Sequence, residues 1–159
     1  QAVFRDQPDL VAKTIDNRDD RSRAVLGSID KHLLRKCPCP VWLIANTVVP
    51  ANAHVVAAVN PDPSDPEHNA LSVDVLQAAG TFAALYHAQL DAVHAWKAFG
   101  KLLLRGPEPL VSVADVDYIV GQALNRHGRY LDDLLASTPS PAGVTLRKHL
   151  VHARPADAI

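Results

Sequence analysis

Methionine is absent from the 159 residues, cysteine occurs twice, and aromatic side chains make up 5%. The two thiols, Cys37 and Cys39, flank a single proline. A relaxed disulfide does not close across so short a loop, and no further ligands lie at metal-binding spacing. They read as free, buried or half-buried thiols of a reducing compartment. Charge of one sign is also missing: 16 lysines and arginines face 17 aspartates and glutamates, a net of −1. A general nucleic-acid binder is usually strongly basic, so that class loses ground. No apolar run reaches the roughly 18 residues of a membrane span, and no signal-peptide pattern opens the chain. The expectation is a cytoplasmic protein with neither a membrane nor a nucleic acid as partner. With Gln1 first and Pro155 opening a helix at the very end, the sequence reads as a piece of a longer protein.

What is present is an alternation of elements. Short apolar runs predict strands over 9–15, 40–45, 54–60, 91–96 and 145–151; helical spacing predicts helices over 27–36, 67–89 and 114–136. In the first helix Ile29, Leu33 and Leu34 make the apolar side. In the second, Val75, Ala79, Phe82 and Tyr86 do so. In the third it is Val116, Ile119, Val120, Leu124, Leu131, Leu134 and Leu135. The runs "VWLIA", "HVVAAVN" and "DAVHAW" lack alternation, as expected of strands covered on both faces. A β-α-β unit followed by a β-α-β-α-β unit means α/β, a doubly wound parallel sheet. Ligands of such sheets bind beyond the carboxyl ends of the strands, here beside the loops 16–26, 60–66 and 97–113. About eight linker residues between 45 and 54 reach at most roughly 28 Å and offer no crossover helix. The two halves are therefore expected in separate sheets, completed by further chain or by a second copy.

Gly27-Ser28 stands at a helix start, where free N–H groups and the helix dipole suit a phosphate. Lys13, Arg18, Arg21 and Arg23 lie upstream. The plainer reading is a capped helix beside a solvated loop. The eight histidines show no metal spacing and read mostly as surface or interface residues, and no catalytic set announces itself. Asp19-Asp20 and Asp132-Asp133 read as solvated pairs.

The order of motifs carries a resemblance. "DLVAKTI…GSIDKHLLRKCPCPVWLI" resembles the end of a universal stress protein domain, where a strand leads into G-x2-G-x9-G-(S/T), then a helix and "CPVxxV". "HVVAAVNPDPSDPEHNALSVDVLQAAGTFAALYHAQLDAVHAW" is similar to the first half of another such domain, and "HLVHARPADAI" to its third strand. "LLRKCPCPVW", "AAVN" and "EHNAL" look like the tandem, E-type branch of that family. The resemblance implies the adenine nucleotide alpha hydrolase-like fold in two partial domains: 1–46 the end of the first, 47–53 a linker, and 54–159 the beginning of the second. It implies a cytosolic stress-response binding module, not an enzyme, with ATP or another adenine nucleotide as ligand. As partners it implies a homodimer or a pseudo-dimer of tandem domains. A slow ATP hydrolase and a purely structural pseudo-nucleotide domain are the alternatives. The family's other two glycines fall on Thr14 and Asn17, and only Gly27 and Ser28 match. The first-strand aspartate that contacts ribose falls on Asn60, the apolar position beside adenine on Ala95, and the third-strand glycine on Ala153. The ATP signature of the first domain is thus degraded, so a site there is expected to be weak or empty.

Overall fold

The computed structural model describes residues 8–15, 26–45, 48, 50–97 and 112–158. The chain divides into two compact units, Gln1–Val49 and Pro50–Ile159. Residues 16–25 of the expected loop 16–26 and residues 98–111 of that over 97–113 lie outside the described residues.

The first unit is β1 (Val11–Ile15), α1 (Ser28–Lys36) and β2 (Val41–Ala45). β1 and β2 pair in parallel, Val11 opposite Val41 and Ile15 opposite Ala45. Cys37 and Cys39 are free, their sulfurs 3.5 Å apart where α1 gives way to β2. Burial raises the Cys39 thiol above its usual range, and the contact with Cys37 adds to it. Two expectations fail here. Trp42 and Ile44 are 40% and 36% exposed, so β2 alternates and is not covered on both faces. Ile29 and Leu34 are open, and the buried residue of α1 is Asp30. Two strands and one helix shield little more than one face.

The second unit is β3 (His54–Ala58), α2 (Pro66–Leu85), β4 (Gln89–Trp96), α3 (Val113–Ser137), β5 (Leu146–His152) and a short α4 (Pro155–Ala158). Its sheet has the order β3-β4-β5, every pair parallel, as successive helical crossovers require. One core collects Ala57 and Val59, Leu90 and Ala92, Leu76, Ala79 and Ala83 of α2, and Leu131 and Leu134 of α3. The stripe of α2 is therefore Ser72, Leu76, Ala79, Gly80 and Ala83 rather than the one centred on Phe82 and Tyr86. Small residues predominate in this stripe, and at Gly80 the reason is a close neighbour: a Cβ there would come within 2.9 Å of the ring of Pro141, in the loop before β5. The buried positions of α3 are Val116, Ala123, Leu131 and Leu134, which leaves Ile119 and Leu124 exposed.

The end of α2 corrects the predicted span of 67–89. Asp65 caps its start, accepting from the His68 N–H, with Pro66 as the first helical residue. At the other end His87 takes φ 50°. The His87 N–H then reaches the Ala84 carbonyl and the Ala88 N–H the Ala83 carbonyl. This pair of bonds closes a helix in the manner usual for glycine. A histidine in that role gave no stop signal in the sequence.

Candidate functional site: a cleft beyond the sheet and two histidine clusters

The Gly27-Ser28 turn comes first. Gly27 caps α1 in extended backbone, and its N–H donates to Asp30 Oδ2 at 2.8 Å. Asp30 Oδ1 lies 2.8 Å from Lys13 Nζ, and the residue is 3% exposed. Lys13, and then the Gly27 N–H, hold the Asp30 carboxyl below its usual range against the opposing effect of burial. The place where a helix terminus would receive a phosphate thus already holds the protein's own carboxylate. Lys13, one of the expected anion-attracting cations, is committed to Asp30 and to the Thr14 carbonyl. Thr14 and Ser28 are exposed; Asn17, Arg18, Arg21 and Arg23 lie outside the described residues.

In the second unit the carboxyl ends of β3 and β4 open into a cleft of about 320 Å³. Asn60 and Ala95, the other two expected positions, both line it. Ala58 and Val93 extend the floor, and His68, Leu71, Ser72 and Val75 form one face of α2 at helical spacing. The wall is fixed by backbone: the Asn60 N–H donates to Ser72 Oγ at 3.2 Å, and the Ser72 hydroxyl donates to the His68 carbonyl at 2.9 Å. The Val59 N–H donates to the Val93 carbonyl, extending the β3–β4 pairing one residue past β3. The Asn60 side chain is left at an exposed rim. Thr14, Gly27 and Ser28 belong to the first unit, whereas this cleft is formed by residues of the second. Near its mouth His68 pairs with Asp65 at 2.7 Å, and Ser64 bonds Asp62 through both its N–H and its hydroxyl. These hydrogen bonds keep both aspartates below the usual carboxylate range. The cleft is mostly apolar with a few polar groups, and its size falls at the small end of ligand pockets, about 300–1,000 Å³.

Six of the eight histidines, His32, His54, His68, His87, His149 and His152, are exposed, in line with the reading of them as mostly surface groups, and His94 and His127 depart from it. His94 is 1% exposed. Its Nδ1 lies 3.1 Å from the Val59 carbonyl, which can only accept, so Nδ1 carries the proton. Its Nε2 therefore accepts from His127 Nδ1 at 2.9 Å. Burial lowers the pKa of both rings, and the neighbouring His94 and Arg126 add to the lowering at His127. Beside them Trp96 stacks between His127 and His152, with centroids at 5.4 and 4.4 Å. On the opposite face of the sheet Asp91, 8% exposed, receives His54 Nδ1 at 2.5 Å and His149 Nε2 at 2.8 Å. Gln89 Nε2 adds a third bond at 3.0 Å. Burial raises the Asp91 pKa, but the bonds from His54, His149 and Gln89 outweigh it and bring the carboxyl to about 2. A signal for these clusters existed: an aspartate and a histidine inside the otherwise apolar run "DAVHAW". Among the described residues no group of three or more His, Cys, Asp or Glu is arranged to hold a metal ion. Asp132 is exposed and pairs with Lys148 at 2.6 Å, as a solvated residue should; Asp19 and Asp20 lie outside the described residues. Also among the described residues, no helix is long and apolar enough to cross a membrane.

Parallel strands joined by helical crossovers define the class: an α/β protein. More particularly, the chain is similar to proteins named universal stress protein E. It is 38% identical over 72 residues to universal stress protein E of Salmonella typhi, a match covering 45% of this chain and 23% of that protein. The same protein of Escherichia coli K12 gives the same figures, and that of Photorhabdus laumondii is 32% identical over 77 residues, 48% of this chain and 24% of the relative. The matches thus span about a quarter of the length of these relatives. No family model matches. Among solved structures, a protein of unknown function from Pseudomonas aeruginosa PAO1 superimposes with TM-score 0.62 at 20% identity, covering 95% of this chain and 46% of that one. A candidate universal stress protein from Pseudomonas aeruginosa UCBPP-PA14 gives TM-score 0.50 at 20% identity, covering 92% and 46%. At that identity these two speak for the fold.

Proposed function

We propose that the chain is part of a cytoplasmic stress-response binding module that takes an adenine-type ligand in the second unit and acts through protein partners, without turnover. One observation carries the reading: Asn60 and Ala95, expected from the sequence to face ribose and adenine, line the same cleft at the ends of β3 and β4. The first unit contributes no comparable seat, because Asp30 occupies its helix terminus. In this reading residues 1–46 and 54–159 are the end and the beginning of two tandem domains joined by 47–53, and they work as a homodimer or a pseudo-dimer. The test is a titration with the fluorescent analogue trinitrophenyl-adenosine, alongside phosphate release from ATP. Saturable binding that Ala95→Trp removes, with no phosphate released, is the expected outcome. Phosphate release that Ala95→Trp also removes would replace this reading with a slow hydrolase, and absence of binding would leave a structural domain.

A further inference from the structure

We infer that Cys37 and Cys39 form a dithiol site for trivalent arsenic compounds, which they hold through both sulfurs at once. The turn that carries them is built by its own few residues. Each cysteine precedes a proline, in the run Cys37-Pro38-Cys39-Pro40, and a residue before proline is kept out of the helical region. Cys37 accordingly ends α1 in extended backbone, with φ −70° and ψ 130°. The run is anchored at both ends. The Cys37 N–H donates to the Leu33 carbonyl at 2.9 Å, and the Pro40 carbonyl accepts from the Val11 N–H of β1 at 3.0 Å. Between these anchors the two proline rings fix φ. The result is a pair of free, half-buried thiols with their sulfurs 3.5 Å apart.

That separation bears on the occupant. A direct disulfide would need the sulfurs at about 2 Å, on a backbone that the prolines hold. One atom bridging them suits the gap: two bonds of about 2.3 Å, the length of a zinc–thiolate bond, closing on the 3.5 Å base meet at about 100°. A pyramidal trivalent centre takes that angle, whereas a linear ion would need the sulfurs about 4.6 Å apart. The pyramidal centre also completes its bonding with a substituent of its own, so two thiols are all it requires of the protein. Charge points the same way. The pair sits at the C-terminal end of α1, the negative end of the helix dipole. Burial first, then Cys37 and Asp9, raise the Cys39 thiol above its usual range, so thiolates for a cation are costly there. An arsenical needs none. With phenylarsine oxide both S–H bonds and the As–O link break, two As–S bonds form, the oxygen leaves with both protons as water, and arsenic stays trivalent.

The test is a titration of the full 159-residue chain with phenylarsine oxide in excess glutathione, which competes for single thiols. It is read by intact mass and by the thiols still open to dithionitrobenzoate. One phenylarsenic group per chain with both thiols masked, reversed by dimercaptopropanol, is the expected result. Cys37→Ser and Cys39→Ser, in chains with unchanged circular dichroism, should each weaken binding by about 100-fold or more, because the second As–S bond forms within one molecule. No arsenical on the parent chain, or two per chain, overturns the inference. So do single-cysteine variants that bind within about threefold of the parent, since the gain from a second bond is then missing. Zinc ion that masks both thiols and blocks the arsenical at equal concentration overturns it as well, in favour of a tetrahedral metal site completed by other groups.

Discussion

The two units solve the same problem with unequal means. The first has Ile15 as its one buried apolar side chain among the described residues, a buried Asp30 paired with a half-buried Lys13, and Trp42, Ile44, Ile29 and Leu34 open. The second covers one sheet face with two long helices and buries Leu76, Leu90, Leu131 and Leu134 in one core. A parallel strand pair with a single crossover has too little surface to exclude water from both faces. Its helix terminus is held by charge, whereas the second unit's cleft wall is held by packing and backbone hydrogen bonds. Local stability, and with it a defined binding cleft, is therefore expected in the second unit only.

The largest effect should come from the second core. Leu90→Ala removes a side chain that is 0% exposed, at a cost of about 2–5 kcal/mol in denaturant unfolding. Ile29→Ala, at a site 64% exposed in the first unit, should change stability by less than about 0.5 kcal/mol. Equal costs would break the contrast between the units.

Asp91 comes next. Its folded pKa of about 2 lies below the ordinary carboxylate value of 3.8, so it stabilises the fold at pH values above that ordinary value. The contribution, about 2 kcal/mol, should fade as pH drops from about 4 to about 2, and Asp91→Asn should flatten that limb of the stability–pH curve. An unchanged acid limb would show that the His54–Asp91–His149 bridge contributes nothing there.

Gly80→Ala sharpens the point about close packing. Alanine gains about 1 kcal/mol of helix propensity, yet its Cβ meets the Pro141 ring, which cannot swing aside as a flexible side chain would. A net loss of about 1 kcal/mol is expected from thermal unfolding. The smallest effect is a gain. His87→Gly relieves a left-handed backbone at an exposed helix end and should stabilise by about 0.5–1 kcal/mol, read as a higher denaturation midpoint.

The sequence by itself determined the alternation of strands and helices and the parallel pairing that their crossovers impose. Its apolar runs and helix periods depend on neighbours a few residues apart, whereas Asn60 and Ala95 were singled out only by the resemblance of their strands to those of universal stress protein domains. Tertiary structure decided what depends on distant partners. Which flank of α2 is buried followed from the packing of Leu76, Ala79 and Ala83 into the core with Ala57, Leu90 and Leu134, and its true end from hydrogen bonds around His87. The occupation of the Gly27 terminus by Asp30 with Lys13, and the joining of His54, Asp91 and His149 across three strands, required the fold to bring charges from separate elements together. Local pattern records which face of an element is apolar; it does not record which buried charge finds which partner, because that choice is made by Coulomb and hydrogen-bond energies between residues far apart in sequence.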